Sequence, residues 1–566
     1  MPTTASEFVP AEIDATKWEK LEPLFRELID RPLKCSGCLE QLLLDRSELD
    51  AATSEAHGNL YISMTCRTDD AEIKKAYLDF VENVEPQYKL ASFELDKKIA
   101  ASPHTTDLDP QRYEVLLRNI RVDVELFRED NVPLQTEDTK LAQQYEEICG
   151  AMTVQFRGQE RTLPQMARFL EEADRDTREE AWTLIADRRH QDHERINDIF
   201  DSLIKLRHQM ALNAGFANYR DFAHRRKHRF DYTPEDCMAF HDGAEQICVP
   251  VYRQLNRERV DALDVHPLRP WDLAVDVRGR APLRPFENAD ELVQRTSRLF
   301  HRMNSSLGEL FDSMRDGECL DLESRKGKAP GGYQFQRDRS RKPFIFMNAA
   351  GLQRDLETML HEAGHAFHSL LCRDEPLVSY RHSPTEFAEV ASMSMELLAF
   401  PYLDEFYDTE EADRARRGHL EDLSKTLPWI ATIDAFQHWI YTNPAHSRLE
   451  RTQSWRKLNE RFGASVNWDG LETHLETMWQ RQLHLFGVPF YYIEYGIAQL
   501  GALQLWQQSR RDERAALNHY HRALSLGGSR PLPELFASAA MKFDFSPDIM
   551  RGLMDEVKIE LARLPA

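Results

Sequence analysis

The chain has 566 residues, 42% hydrophobic and 30% charged, enough apolar mass for more than one ordinary domain. Its net charge of −23 and sequence pI near 5.4 argue against nonspecific binding to nucleic acid or to anionic membranes. No apolar run of about 18 residues occurs, so no membrane-spanning helix is expected.

The N-terminal stretch MPTTASEFVPAEIDATKWEKLEP lacks a basic start followed by an apolar core, so no signal peptide is expected and a cytoplasmic location is. Eight cysteines are scattered, and only Cys35 and Cys38 form a CxxC. No second pair follows at zinc-ribbon spacing, so reduced thiols are expected. Most of the chain has helical period. Ile196, Ile199, Phe200, Leu203, Ile204 and Leu206 share a stripe over residues 195–212, and Gly215 stands where that helix can end. A boundary near 205 is expected, giving an N-terminal helical lobe, 1–205, and a second domain, 206–566. The basic run His224–Arg229 has no interleaved aromatics, which favours a solvated face or internal ion pairs over RNA binding.

Between Pro250 and Pro285 the chain carries Pro267, Pro270, Gly279 and Pro282, so loops are expected from Pro267 onward. Helical period returns over residues 289–314, with Asn288 and Glu291 as a start signal. A second break, Lys326–Asn348, contains the best short strand, Phe344–Met347. The fold class is therefore mainly α with a small β-region just before the next helix. That strand is expected to offer an edge to an extended peptide.

The next helix, predicted over Leu352–Cys372, contains His361-Glu362-Ala363-Gly364-His365. Histidines four apart project from one face and can reach a single metal ion, and Glu362 beside them can take and return a proton. The longer metzincin pattern needs Gly at 368 and His at 371, where this chain has His368 and Leu371. A glutamate from a second helix is the other common third ligand. Ser383 and Pro384 read as the cap and first residue of such a helix, which carries Glu386, Glu389 and Glu396. Glu389 and Glu396 lie about 10 Å apart along its axis and cannot both bind one ion. Spacing alone does not choose among the three. His368, one turn past His365, is expected to be a packed, hydrogen-bonded histidine. Further on, His484–Tyr495 gathers donors suited to an oxyanion. Tyr492 and Tyr495 are three apart on one helix face, and a phenol donates while neutral.

The HEAGHAFH stretch, followed 24 residues after its second histidine by the glutamate of FAEVAS, resembles the thimet oligopeptidase and oligoendopeptidase F family of zinc peptidases. The resemblance runs from about Tyr219 to Phe545 and includes the PGGY and PFIFMN stretches. It implies two helical lobes around a deep channel, one Zn2+ per chain, and Glu389 as third ligand. Glu396 is then expected to hold a histidine ring rather than the metal. The resemblance also implies that His484, Tyr492 and Tyr495 close over the substrate. The expected activity is zinc-dependent endopeptidase cleavage of short oligopeptides with Glu362 as general base and acid. A zinc exopeptidase, a zinc hydrolase of other substrates and a non-catalytic peptide-binding scaffold are the alternatives. No nucleic-acid or membrane partner is expected, and nothing in the sequence sets an oligomeric state.

Overall fold

The structure, a computed structural model, describes residues 8–565, so the first seven residues of the stretch read for a leader lie outside it. Helices dominate, as the apolar period requires. The helix His193–Asn213 buries Ile196, Ile199, Phe200, Leu203 and Ile204, and Gly215 follows it at φ 87°. Asn288 caps Ala289–Met303 by accepting from the amide of Glu291 at 3.0 Å. The stripe over 289–314 is interrupted, however. Asn304 is extended, ends the first helix, and caps a second, Ser305–Asp316, by accepting from the amides of Ser306 and Leu307. An asparagine side chain competes with the backbone for those amides, which is why it ends a helix whose apolar period runs on.

The chain forms two compact units. One comprises the segment up to Glu125, Pro282–Ala415 and Ala498–Phe543; the other comprises Leu126–Ala281, Arg416–Ile497 and the segment from Asp544. The division expected at 205–206 falls inside the helix His193–Asn213, and both units are discontinuous in sequence. Composition along the chain does not report which distant segments share a core.

In the first unit, three strands form the small β-region: β3 (Leu320–Glu323), β4 (Tyr333–Arg337) and β5 (Lys342–Ala349). The second unit holds the hairpin of β1 (Thr153–Phe156) and β2 (Gln159–Thr162). The expected strand Phe344–Met347 lies in β5, but β5 is not an edge. The order is β3-β5-β4, with β3 parallel and β4 antiparallel to it. Its continuous apolar run is the mark of a strand buried on both sides, and the free edge near the histidine helix belongs to β4. Phe344 and Phe346 pack on Ile62 of the long helix Ser36–Cys66, with Tyr333 and Phe335 beside them. Gly58 of that helix admits the Phe335 ring, since a Cβ there would lie 2.2 Å from it. Lys328, with its side chain fully buried, donates to the backbone carbonyls of Asp321, Glu323 and Met347 and to the Asp321 carboxylate. It ties the loop before β4 to the sheet.

Candidate metal centre

The helix Gln353–Leu371 begins where the Asp355 carboxylate accepts from the amides of Leu352 and Ala350, at 2.9 and 2.7 Å. An acidic group there also suits the positive end of the helix. Its apolar face buries Leu356, Met359, Leu360, Ala363 and Phe367, and Phe367 meets Phe300 edge to face at 4.9 Å. With that face fixed, His361 and His365 project together, ring centroids 4.9 Å apart and planes at 83°.

The second helix, Thr385–Leu398, starts one residue later than expected. Pro384 occupies the cap position, and the Ser383 hydroxyl has no hydrogen-bond partner among the described residues. The two helices cross at Gly364, where a Cβ would lie 2.6 Å from both the Ala391 carbonyl oxygen and the Ser392 Cα. Tyr520 donates to that same carbonyl at 2.9 Å and fixes it in place. Gly364, to which the sequence analysis assigns no role, lets two backbones touch.

The close crossing brings Glu389 Oε2 to 3.4 Å from His361 Nε2 and 3.7 Å from His365 Nε2. Tetrahedral zinc with bonds of about 2.1 Å holds its donors roughly 3.4 Å apart, so the Glu389 oxygen stands near that spacing from both nitrogens, and all three atoms lie within 4.8 Å of one another. Two imidazoles and a carboxylate are also a donor set zinc accepts. Ser392 Oγ steadies Glu389 by donating to Oε2 at 3.0 Å. On the other side of His361, Nδ1 lies 2.6 Å from Glu396 Oε1. That bond orients the ring and leaves Nε2 for Glu389 and a metal. Glu386 is buried on the same helix but is not part of the three-residue group.

The charges of this group suit a cation. Burial works against a charged His361, but hydrogen bonds to Glu389 and Glu396 outweigh it and hold the ring protonated well above its ordinary range. Burial, with the neighbouring His361 adding to it, pushes His365 down to about 4 against the pull of Glu389 and the Ala388 backbone. Burial would raise Glu389, yet the His361 hydrogen bond and both imidazoles bring it down to about 2. A proton on His361 thus stands where a divalent ion would place its charge. Glu362, 7% exposed, is pushed up to about 7 by burial, with Glu389 adding to the rise and His361 and the Gln334 backbone opposing it. His368 is buried against Phe387, and burial drives it down to about 3. It is packed as expected, but its Nε2 has no hydrogen-bond partner among the described residues.

His484, Tyr492 and Tyr495 belong to the second unit, where they form an aromatic group of their own. The His484 ring lies 4.8 Å from Tyr492 and 6.0 Å from Tyr495, and the two tyrosine rings are 5.6 Å apart. Buried Arg207 donates to the carbonyls of Leu485 and Phe486, fixing the short helix Leu483–Gly487 that carries His484. Gln482 Nε2 lies 2.8 Å from His484 Nδ1. All three residues are half-buried. The basic run forms internal ion pairs: Arg229 and Lys227 reach Glu494 at 2.6 and 3.1 Å.

The profile of peptidase family M3 matches residues 168–555, and that of the M3 N-terminal domain matches residues 8–127. An oligoendopeptidase F homolog of Borreliella burgdorferi is 25% identical over 51% of this chain and 49% of its own length, so the chain matches about half of that relative. Among solved structures, PZ peptidase A with an inhibitor superposes with TM-score 0.90 at 28% identity, over 98% of this chain and 99% of the other. A putative oligoendopeptidase F from Bacillus anthracis does so with TM-score 0.85 at 26% identity, over 100% and 99%. On the span of the profile match, set beside the helix crossing that gathers His361, His365 and Glu389, this chain belongs to peptidase family M3.

Proposed function

We propose that the chain is a zinc-dependent endopeptidase that hydrolyses short oligopeptides, with His361, His365 and Glu389 holding one Zn2+ and Glu362 as general base and acid. One observation carries this reading: two imidazole nitrogens and one carboxylate oxygen converge within 4.8 Å of one another beside a buried glutamate. When bound, zinc supplies Lewis acidity, polarising a carbonyl and making water a better nucleophile at neutral pH.

The chain's own residues do the rest. Glu362 removes a proton from the attacking water and delivers it to the leaving amine, a task suited to a carboxylate that burial has made more basic. Glu396 keeps His361 in one tautomer. The free edge of β4 is the place for an extended peptide to pair. The Gln334 backbone hydrogen-bonds the Glu362 carboxylate, so a chain added along β4 runs past the base. Tyr495, with Tyr492 and His484, is assigned to donate to the oxyanion. Burial raises Tyr492 and lowers His484 from their ordinary values, which keeps those two neutral in that role.

The test is incubation of a mixed pool of free and end-blocked peptides, read by mass spectrometry with and without a chelator. Internal cuts in end-blocked peptides that vanish with chelator and return with zinc are expected. Chelator-insensitive cutting would remove the metal from the reading. Cutting confined to peptides with a free terminus would make the enzyme an exopeptidase.

A further inference from the structure

The second unit contains another cluster of metal-binding groups. His224 comes from the helix Tyr219–Arg226, Cys237 from Pro234–Gly243, and His438 from the long helix Thr409–Thr442. Each offers one donor atom, and the three atoms lie within 4.8 Å of one another. All three residues are buried: Cys237 is inaccessible, and His224 and His438 are 5% and 6% exposed. Buried polar atoms are almost always hydrogen-bonded. Here, among the described residues, Nδ1 of His224, Nδ1 of His438 and Oδ1 of fully buried Asp434 have no hydrogen-bond partner, while His438 Nε2 faces the Asp434 carboxylate at 3.2 Å.

We propose that His224, Cys237 and His438 form a second metal site, for a divalent ion that accepts thiolate and imidazole together, zinc foremost, with Asp434 orienting His438. Two imidazole nitrogens and one thiolate are donors that zinc accepts, one short of the four that close a structural zinc site. Tetrahedral zinc spaces such donors roughly 3.4–3.6 Å apart, so donors within 4.8 Å of one another need close by no more than about 1.3 Å. Asp434, one turn before His438, lies 3.2 Å from its Nε2 and also pairs with His241 Nε2 at 2.8 Å. It therefore serves as the outer carboxylate that metal-binding histidines commonly have, leaving His438 Nδ1 for the ion.

The charges agree. A Cys237 thiolate and the Asp434 carboxylate together neutralise a divalent ion. The facing cation, Arg229, lies 3.3 Å from His224 Nε2 and is matched by Glu494 at 2.6 Å. Such a metal would also brace Phe490. That residue has φ 64°, and its ring sits 5.6 and 5.8 Å from His438 and His224. Phe490 leads directly into Tyr491–Tyr495, so an ion here would stiffen the approach to the tyrosines without touching substrate. The proposal does not depend on the peptidase reading.

The test uses the full chain carrying His361→Ala and His365→Ala, to disable the first site, and Cys35→Ser and Cys38→Ser, whose sulfurs lie 2.7 Å apart and could bind metal themselves. The probe is Co2+ alone. One bound ion per chain with a thiolate-to-cobalt charge-transfer band is expected, lost on adding Cys237→Ser or His438→Ala. No bound Co2+, or bound Co2+ without that band, overturns the proposal. So does a band that survives Cys237→Ser. Should the Cys237 and His438 variants fail to fold, the parent variant's stoichiometry and band decide alone.

Discussion

Gly364→Ala isolates the helix crossing on which the metal centre depends. The added methyl would lie 2.6 Å from the Ala391 carbonyl oxygen and from Ser392 Cα. Both are backbone atoms, so no side chain can swing aside, and Tyr520 holds the carbonyl from behind. An ordinary contact needs roughly 3.5 Å, so the helices must part by close to 1 Å. Overpacking of this kind costs about 1–3 kcal/mol, and the better helix propensity of alanine returns about 1 kcal/mol. The larger effect falls on the metal. Glu389 sits 3.4 and 3.7 Å from the two Nε2 atoms, and ligand bonds tolerate only about 0.2 Å. Zinc affinity should fall at least 10-fold to 100-fold, measured by competition with a chromogenic chelator, and kcat/KM should fall with it at limiting zinc. Gly418→Ala is the control. That glycine is exposed within the long helix Thr409–Thr442 with nothing near its missing Cβ, so the change should stabilise by up to about 1 kcal/mol. Wild-type zinc affinity in Gly364→Ala would show that the crossing does not set the ligand geometry.

Other substitutions probe the remaining parts. Glu362→Gln should abolish turnover while zinc stays bound; retained hydrolysis would remove Glu362 as the base. In metal-free protein the same change should stabilise at high pH. The carboxyl is raised from 4.5 to about 7 by burial, so its contribution is fully present below pH about 4.5 and is lost as pH rises through 7, on the order of 3 kcal/mol. The gap between variant and wild-type denaturation midpoints should open over that window, and a pH-independent gap would contradict the burial argument. Glu389→Ala should release zinc, whereas Glu396→Gln should keep it but weaken it about 10–100-fold, read by metal analysis after dialysis. Equal losses would merge their roles. Tyr495→Phe should lower kcat by about 10²-fold with little change in KM; an unchanged kcat would return the residue to packing.

The parts of this protein legible in the sequence are those fixed by one segment. The period of 195–212, the cap at Asn288, the strand Phe344–Met347 and the helix of the HEAGH motif each follow from residues within a few positions of one another. Where two local signals compete, reading fails. Asn304 cuts a stripe that hydrophobic period alone carries through to Met314, and Pro384 takes the cap position that Ser383 was expected to fill. Edge or centre is not a local property either. The apolar run of β5 says that it is covered on both faces, and only its pairing shows that β4 holds the free edge.

The proposed third ligand, Glu389, marks the same limit within the site. Glu386, Glu389 and Glu396 sit on one helix, and spacing can exclude only pairs of them. The choice is made by where the histidine helix crosses, and that is set by the absence of a side chain at Gly364. A crossing moved by one turn would present a different glutamate to the same two nitrogens. The second cluster escapes notice for a related reason. Cys237 with His241, and Asp434 with His438, are each pairs at helical spacing, the pattern that made His361 and His365 conspicuous. Here the spacing is split between helices, with His241 and Asp434 193 residues apart, and each half alone resembles any packed helix. A search for i, i+4 pairs of any metal-binding types would have marked both halves, and the distance between their donors would then decide whether they make one site.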